Sequence, residues 1–415
     1  MRVWVLTELY YPEDTSTGYF LTKTAEALSE CYPVYVLSSQ PTYAARGIRA
    51  PARELHNGVH IQRCVGTALN KDILLFRLIN LVTITLSIMF TALIRVQRGD
   101  CVMVATNPPV LPFGIALVCR LRGCKCVLLV QDVYPEALLA SRLASSRSLL
   151  VRTLSWMTCR LYASMERIVV LGRDMEALVK RRLDGNASKA VLIHNWADVD
   201  EISPRARQEN SLLQKLGLAD KFVLQYSGNI GRMHGIECLV DTARQMAAHP
   251  DVHFLFIGAG AKRQWLEDTV EREGIPNVTI LPLRPRSEIE TSLNACDVAL
   301  ISLLPGAAGV SVPSRMYNVM AAGKPIIAVA EQESELSLVV QEESIGWVVP
   351  PEQPAELRKA ILEAKSDRGR LAEMGSRARF VAEQKYTLER ISRLYQQMVR
   401  DLASPLEAHS QASPG

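Results

Sequence analysis

The chain has 415 residues, 48% of them hydrophobic, which is too long for one ordinary core and apolar enough to build two. Its nine cysteines are scattered, and the one close pair, Cys124 and Cys126, lacks both metal-ligand spacing and a second pair, so a reduced cytosolic chain without a metal site is expected. The net charge of +4 splits unevenly: residues 1–200 hold 23 Lys+Arg against 16 Asp+Glu and the remainder 24 against 27, so the first half suits an acidic small molecule or an anionic membrane surface, while no basic run with interleaved aromatics points to nucleic acid.

The opening "MRVWVLTELYYPED" turns polar after six residues, too soon for the apolar core of a signal peptide, and implies no export. Short apolar runs then recur at 2–7, 34–39, 101–106, 126–132, 167–172 and 190–195, separated by longer stretches with helical spacing. Such alternation predicts a parallel sheet covered on both faces. One separating stretch, 73–94, is apolar apart from Arg77 and a stripe of Asn80, Thr83, Ser87 and Thr91. It approaches the roughly twenty residues of a membrane span, but Arg77 and the polar stripe argue against spanning. Two readings stay open: a helix covering the sheet, or a helix whose outer face dips into the bilayer, assisted by Lys71, Arg77, Arg95, Arg98, Arg120 and Arg122.

After a polar linker at 203–218 the pattern restarts at 221–228, 252–260, 278–281, 297–303 and 325–330. Two doubly wound domains in series follow, whose carboxyl strand edges can face one another across a cleft. Two turns of the second domain carry phosphate-type chemistry. "YSGNIGRMHGIE" (226–237) leaves a strand and opens a helix, with Gly228, Gly231 and Gly235 freeing the turn and Arg232 supplying a fork of donors. "GVSVPSRMYNVMAAGKPII" (309–327) predicts a helix of about ten residues, with Pro313 in its first turn and Gly323 as its left-handed stop. Its free amides, with the hydroxyls of Ser311 and Ser314, form an anion site, and Gly306 to Gly309 let backbone approach a ligand. The alternative is a routine strand-to-helix turn. "GAGAKR" (258–263) is a weak dinucleotide signal, because Arg263 stands where the third glycine belongs.

Six segments in order, the Gly18 loop, "NPPVLPFG" (107–114), "QDVYPEA" (131–137), "YSGNIGRMHG", "VPSRMYNVMAAGKPIIA" (312–328) and "GWVVPPEQPAEL" (346–357), resemble the family 4 glycosyltransferases. The nearest likeness is to the bacterial branch that extends lipid-linked glycans of capsules, O-antigens and exopolysaccharides. The resemblance implies an α/β GT-B fold with two Rossmann-like domains. The expected divisions are an acceptor-side domain at 1–200, a nucleotide-sugar domain at 201–385, a helix at 386–402 packing back on the first domain, and a disordered tail at 403–415. It implies a donor set of Gly18, Asn229, Gly231, Arg232, His234, Ser311, Val312, Pro313, Ser314, Arg315 and Asn318. Two family glutamates are replaced: Val310 loses the contact to the sugar, whereas Asn318 can still donate and accept at the ribose. His234 stands where a lysine is common.

The implied reaction is retaining and metal-independent, moving a sugar from a uridine or guanosine diphosphate donor to a polyprenyl-diphosphate-linked glycan at the inner membrane face. The departing diphosphate helps deprotonate the acceptor, so the protein positions reactants and stabilises leaving charge. Arg232, Arg315 and the helix mouth are the electrostatic candidates, and Asp132 and Glu136 are carboxylates able to orient or deprotonate a hydroxyl. Helix capping explains those carboxylates equally well, and a linker hydrogen bond suffices for His194. A nonhydrolysing sugar-nucleotide epimerase of the same fold and a nonenzymatic nucleotide-sugar sensor are the competing readings.

Overall fold

The hydrophobic runs become strands wherever both faces are covered. In the computed structural model, which describes residues 1–41, 49–69, 73–183 and 185–403, two sheets carry the chain. The first comprises β1 (Val3–Leu6), β2 (Val34–Ser38), β3 (Arg53–His56), β4 (Val59–Arg63), β5 (Cys101–Ala105), β6 (Lys125–Leu129), β7 (Arg167–Val170) and β8 (Ala190–Leu192), in the order β3-β4-β2-β1-β5-β6-β7-β8. The second comprises β9 (Phe222–Asn229), β10 (Val252–Ala259), β11 (Val278–Leu281), β12 (Val298–Ser302), β13 (Ile326–Val329) and β14 (Gly346–Val349), in the order β11-β10-β9-β12-β13-β14. All ladders of the second sheet are parallel. Alternate residues of its strands enter opposite cores: Leu224, Phe254, Leu300 and Ile327 on one face, Val223, Leu255, Ala299 and Ile326 on the other. That two-sided burial is the reason these strands read as unbroken apolar runs.

The chain divides into two compact units at other points than residue 200. One holds Met1–Leu129, Ser164–Ile168 and the residues from Ser392; the other holds Val130–Ala163 and Val169–Ile391. The segment after β6 belongs with the second unit because its backbone is bonded there: Val133 N–H donates to Val310 O at 2.9 Å, and Asp132 bridges to Ser311. Helix Leu388–Ala403 reaches the first unit, where the Gln396 amide donates to Ala27 O at 2.8 Å and the Lys125 ammonium donates to Leu402 O. The tail from residue 404 and Lys71 lie outside the described residues.

Helix Leu74–Arg95 turns its polar stripe inward. Asn80 is 8% exposed, its Oδ1 accepting from Thr67 Oγ1 at 2.7 Å and from Leu69 N–H at 3.0 Å, while Thr83 Oγ1 accepts from Thr67 N–H at 3.1 Å. The outward stripe is Leu75, Leu78, Val82, Leu86, Phe90 and Ile94, with Leu86 58% and Phe90 67% exposed. Met89 is no part of that stripe: it packs on Gly114, where a Cβ would come within 2.1 Å of its sulfur. By length and composition this helix could cross a membrane, yet a ring of bonded polar side chains ties one flank of it to the protein.

In the second unit, β9 and β10 approach so closely at their carboxyl ends that Gly258 pairs with Gly228, and a Cβ on Gly258 would sit 1.9 Å from Gly228 O. The glycines of "GAGAKR" therefore serve sheet closure. Gly258→Ala is expected to lower stability by about 1–3 kcal/mol or more through overpacking against backbone. A denaturation midpoint equal to wild type would contradict this.

Candidate active site

The second sheet reverses its strand order between β9 and β12, and in such sheets the crevice outside the carboxyl ends at the reversal is where ligands sit. Two loops leave the strands at that point, 230–235 after β9 and 303–314 after β12. They are bonded together: Leu304 N–H donates to Met233 O at 2.9 Å, and Ser302 Oγ to Gly235 O at 3.1 Å.

Arg315, the first residue of helix Arg315–Ala321, spans from the second loop to the first. Its guanidinium lies 4.5 Å from the centroid of the buried Tyr226 ring and donates through Nη2 to Asn229 O at 3.2 Å. The Tyr226 hydroxyl donates to the same carbonyl at 2.6 Å. Arg315 Nη1 is buried and has no hydrogen-bond partner among the described residues, so one strong donor is held in place with its capacity unused.

His234 sits between two donors. Gly231 N–H points at its Nδ1 at 3.1 Å and Arg315 Nη2 at its Nε2 at 3.3 Å. A neutral imidazole has one accepting nitrogen and the cation none, so only one of these contacts is a hydrogen bond at a time. Burial, followed by the charges of Arg315 and Lys262, holds the imidazole well below its ordinary 6.5 and keeps it neutral. Where a lysine would carry a permanent charge, His234 supplies an uncharged ring.

The helix is shorter than expected, seven residues, because Pro313 precedes the cap residue Ser314 instead of lying in the first turn. The Ser314 side chain makes no capping bond, and Gly323 ends the helix in the left-handed region at φ 63°. The small-residue loop ahead of it is not open backbone. Gly306 and Ala308 donate their amides to the Glu331 carboxylate at 3.0 and 3.1 Å, and Gly309 donates to Asp174 Oδ2 at 2.8 Å. Asp174 Oδ2 also accepts from Glu335 N–H at 3.0 Å. Two carboxylates thus hold the backbone that was expected to lie open to a ligand and fix the loop in one shape. Val310 and Val312 are buried, Val310 against Ala137 and Ala140.

The other expected residues separate. Arg232 is exposed and has no ion-pair partner among the described residues; it lines a cavity of about 400 Å³ with Arg142, Lys262, Glu237 and Glu352. In that cavity Glu237 is paired with Lys262 and Glu352 with Arg142, which leaves Arg232 as the uncompensated charge. Asn318 Oδ1 accepts from Asp198 N–H at 3.0 Å, so the carbonyl expected at a ribose secures the linker after β8. Asp132 is bonded to the Ser311 hydroxyl; burial pushes its carboxyl above the usual range, and that bond opposes the shift. Glu136, in the first turn of helix Glu136–Ala140, is ion-paired with Arg182, and its Oε2 is buried without a partner among the described residues. His194 Nδ1 contacts Leu171 O at 3.0 Å, the linker hydrogen bond that sufficed for it. Gly18 stands in the first unit, where a Cβ would lie 2.7 Å from Glu13 O, so glycine lets the preceding loop close over helix Ser16–Ser29. No group of three or more His, Cys, Asp or Glu suited to a metal occurs among the described residues.

Asp174, Glu331 and Tyr226 carry the site's geometry without having been singled out beforehand. The carboxylates lie far along the chain from the amides they bind, and an acidic residue after a strand reads as a helix cap.

The His234 shift sets a pH dependence. A depressed folded value means that stability is fully present above the unfolded value of 6.5 and is lost as pH falls below it, because only the unfolded chain takes up the proton. The loss is expected to approach roughly 1.4 kcal/mol per pH unit. His234→Gln should remove this share, and denaturation curves for both proteins that fall in parallel below that pH would contradict it.

Residues 208–381 match the family model described as "Glycosyl transferases group 1". The "Probable glycosyltransferase WbjE" of Pseudomonas aeruginosa is 38% identical over 299 residues, covering 71% of this chain and 72% of the relative. The "Putative colanic acid biosynthesis glycosyl transferase WcaI" of Escherichia coli K12 is 24% identical over 381 residues, 88% of this chain and 92% of the relative. Among solved structures, HepE of Anabaena in complex with UDP superposes with a TM-score of 0.73 at 16% identity, covering 97% of this chain and 100% of that one, which establishes the fold. Neither the epimerase nor the sensor reading survives the family match. The two parallel-sheet domains are of the GT-B type, and the chain belongs to the group 1 glycosyltransferases.

Proposed function

We propose that this glycosyltransferase is a retaining, metal-independent enzyme. Its donor is a nucleoside diphosphate sugar of uridine or guanosine type, and its acceptor is a polyprenyl-diphosphate-linked glycan at the cytoplasmic face of the membrane, in bacterial polysaccharide assembly. The observation that carries the donor assignment is the buried, unpartnered Arg315 Nη1 at the strand-order reversal, held by Tyr226 and Asn229. The relative named for colanic acid biosynthesis and the neighbour solved with UDP support the substrate class.

In this reading Arg315 and Arg232 meet the leaving diphosphate, whose charge grows as the glycosidic bond breaks, and fixed donors stabilise that growth. Neutral His234, with its ring nitrogens facing Gly231 N–H and Arg315 Nη2, shapes the turn without adding charge to it. Of the two carboxylates, Asp132, which is bonded to the neutral Ser311 hydroxyl, orients the acceptor hydroxyl, because Glu136 is ion-paired with Arg182. Arg232→Ala is expected to lose about 2 to 4 kcal/mol of transition-state stabilisation. Wild-type turnover with unchanged nucleotide affinity would reject that role. The reaction class is tested by incubating polyprenyl-diphosphate saccharides with nucleotide sugars and reading the product anomer by NMR: an inverted anomer, or transfer only to lipid-free acceptors, overturns it.

The membrane assignment rests on the outward stripe of helix Leu74–Arg95 and the exposed Arg77, Arg95, Arg98, Arg120 and Arg122 around it. Each basic residue near an anionic surface contributes about 1 kcal/mol, weakened by salt. Cosedimentation with anionic liposomes is expected at low salt, and Leu86→Gln with Phe90→Gln should reduce it. Met89 is left untouched because it packs inward. Pelleting that ignores lipid charge, salt and these replacements would leave the helix as a cover for the sheet.

A further inference from the structure

The first unit contains a cavity of about 590 Å³ at the opposite end of its sheet from the carboxyl edge, lined by Arg2, Tyr35, Arg53, His60, Ile94 and Arg95 among others. Trp4, Tyr35 and His60 occupy one register position of β1, β2 and β4, and their rings stack at centroid distances of 4.8 and 5.0 Å. These rings form one wall. The carboxylates nearby are already engaged: Asp100 with Arg2 at 2.6 Å and with Trp4 Nε1 at 3.0 Å, and Glu54 with Arg63. Arg53 and Arg95 are exposed, and neither guanidinium has a hydrogen-bond or ion-pair partner among the described residues. The cavity is therefore sized for a small molecule and carries two uncompensated cations.

Ile94 identifies the occupant. It lines the cavity and is 59% exposed at the end of the outward stripe that runs through Leu86 and Phe90. An acidic saccharide held by the two arginines would leave Ile94 and the stripe in water. A lipid phosphate between the same arginines places its acyl chains along them, and the rings beside it belong to residue types that favour a membrane interface. We propose that this cavity is a binding site for the phosphate headgroup of an anionic phospholipid, fixing the depth and orientation of the enzyme on the membrane. The site deepens the membrane reading given above and rests on it.

The test uses the full chain and a monomeric probe, dioctanoyl phosphatidylglycerol below its micelle concentration, titrated by calorimetry. Saturable binding is expected, weakened about tenfold or more by Arg53→Gln with Arg95→Gln. Arg98→Gln with Arg120→Gln, exposed arginines that do not line the cavity, should leave it within about twofold. Equal losses in both pairs, or no saturable binding, overturn the site, and so does glycerol 3-phosphate binding as tightly as the lipid, since the ligand would then be soluble. Thermal melts matching wild type show that each variant folds. A stripe variant, Leu86→Gln with Phe90→Gln, separates the two claims: it should lose vesicle binding yet weaken the monomeric lipid less than Arg53→Gln with Arg95→Gln does, because the headgroup contacts remain. If it keeps vesicle binding, the membrane reading falls while the titration still decides the cavity.

Discussion

The guanidinium of Arg315 over the Tyr226 ring is the contact on which the proposed donor site depends. It joins a helix of seven residues to a turn that starts from a different strand, and neither piece would hold its shape alone. Isolated helices that short do not form in water, because nucleation outweighs the few bonds gained. Here tertiary contacts take over: Met316, Tyr317 and Met320 are buried beneath the helix, and Arg379 donates to Ala321 O at 2.9 Å at its far end. The stacked cation contributes on the order of 0.5–2 kcal/mol. Its larger effect is geometric, since it orients Arg315 Nη1, a donor with no protein partner among the described residues.

The loop ahead of that helix is set by charge. Asp174 and Glu331 accept three amides of residues 306–309, which fixes the loop's shape and engages those three donors. In the proposed donor site a phosphate would therefore meet the side chains of Arg315 and Arg232 ahead of these amides. Val310 joins a small apolar cluster and Asn318 a backbone link, so neither contributes charge to the crevice.

Much of this could be read from sequence, and the exceptions have physical causes. The central strands were legible because burial on both faces leaves unbroken apolar runs such as Val298–Ser302. The β3–β4 hairpin was not, because Arg53–His56 is an edge strand whose residues are mostly polar and whose one apolar residue, Leu55, is exposed, and β14 escaped as a strand because its residues are mostly half-buried. The phosphate-type turns were placed correctly at strand ends by their glycines and proline. Which cation sits on the turn was not legible: Arg232 lies within the motif but is exposed, whereas Arg315 arrives from residues 86 positions further on. The polar stripe of helix Leu74–Arg95 was visible as a period, and only the fold told that Asn80 and Thr83 bond inward, leaving the apolar face outside.

If Arg315 holds the diphosphate of the donor, the affinity ratio of nucleoside diphosphate to monophosphate depends on its guanidinium. Calorimetric titration of UDP, UMP, GDP and GMP into wild type should show one diphosphate strongly preferred over its monophosphate. In Arg315→Met, folded by its thermal melt, that preference should fall about tenfold or more while the monophosphate affinity changes little. A preference equal to wild type in the variant would place the diphosphate elsewhere and leave Arg315 as a structural contact between helix and turn.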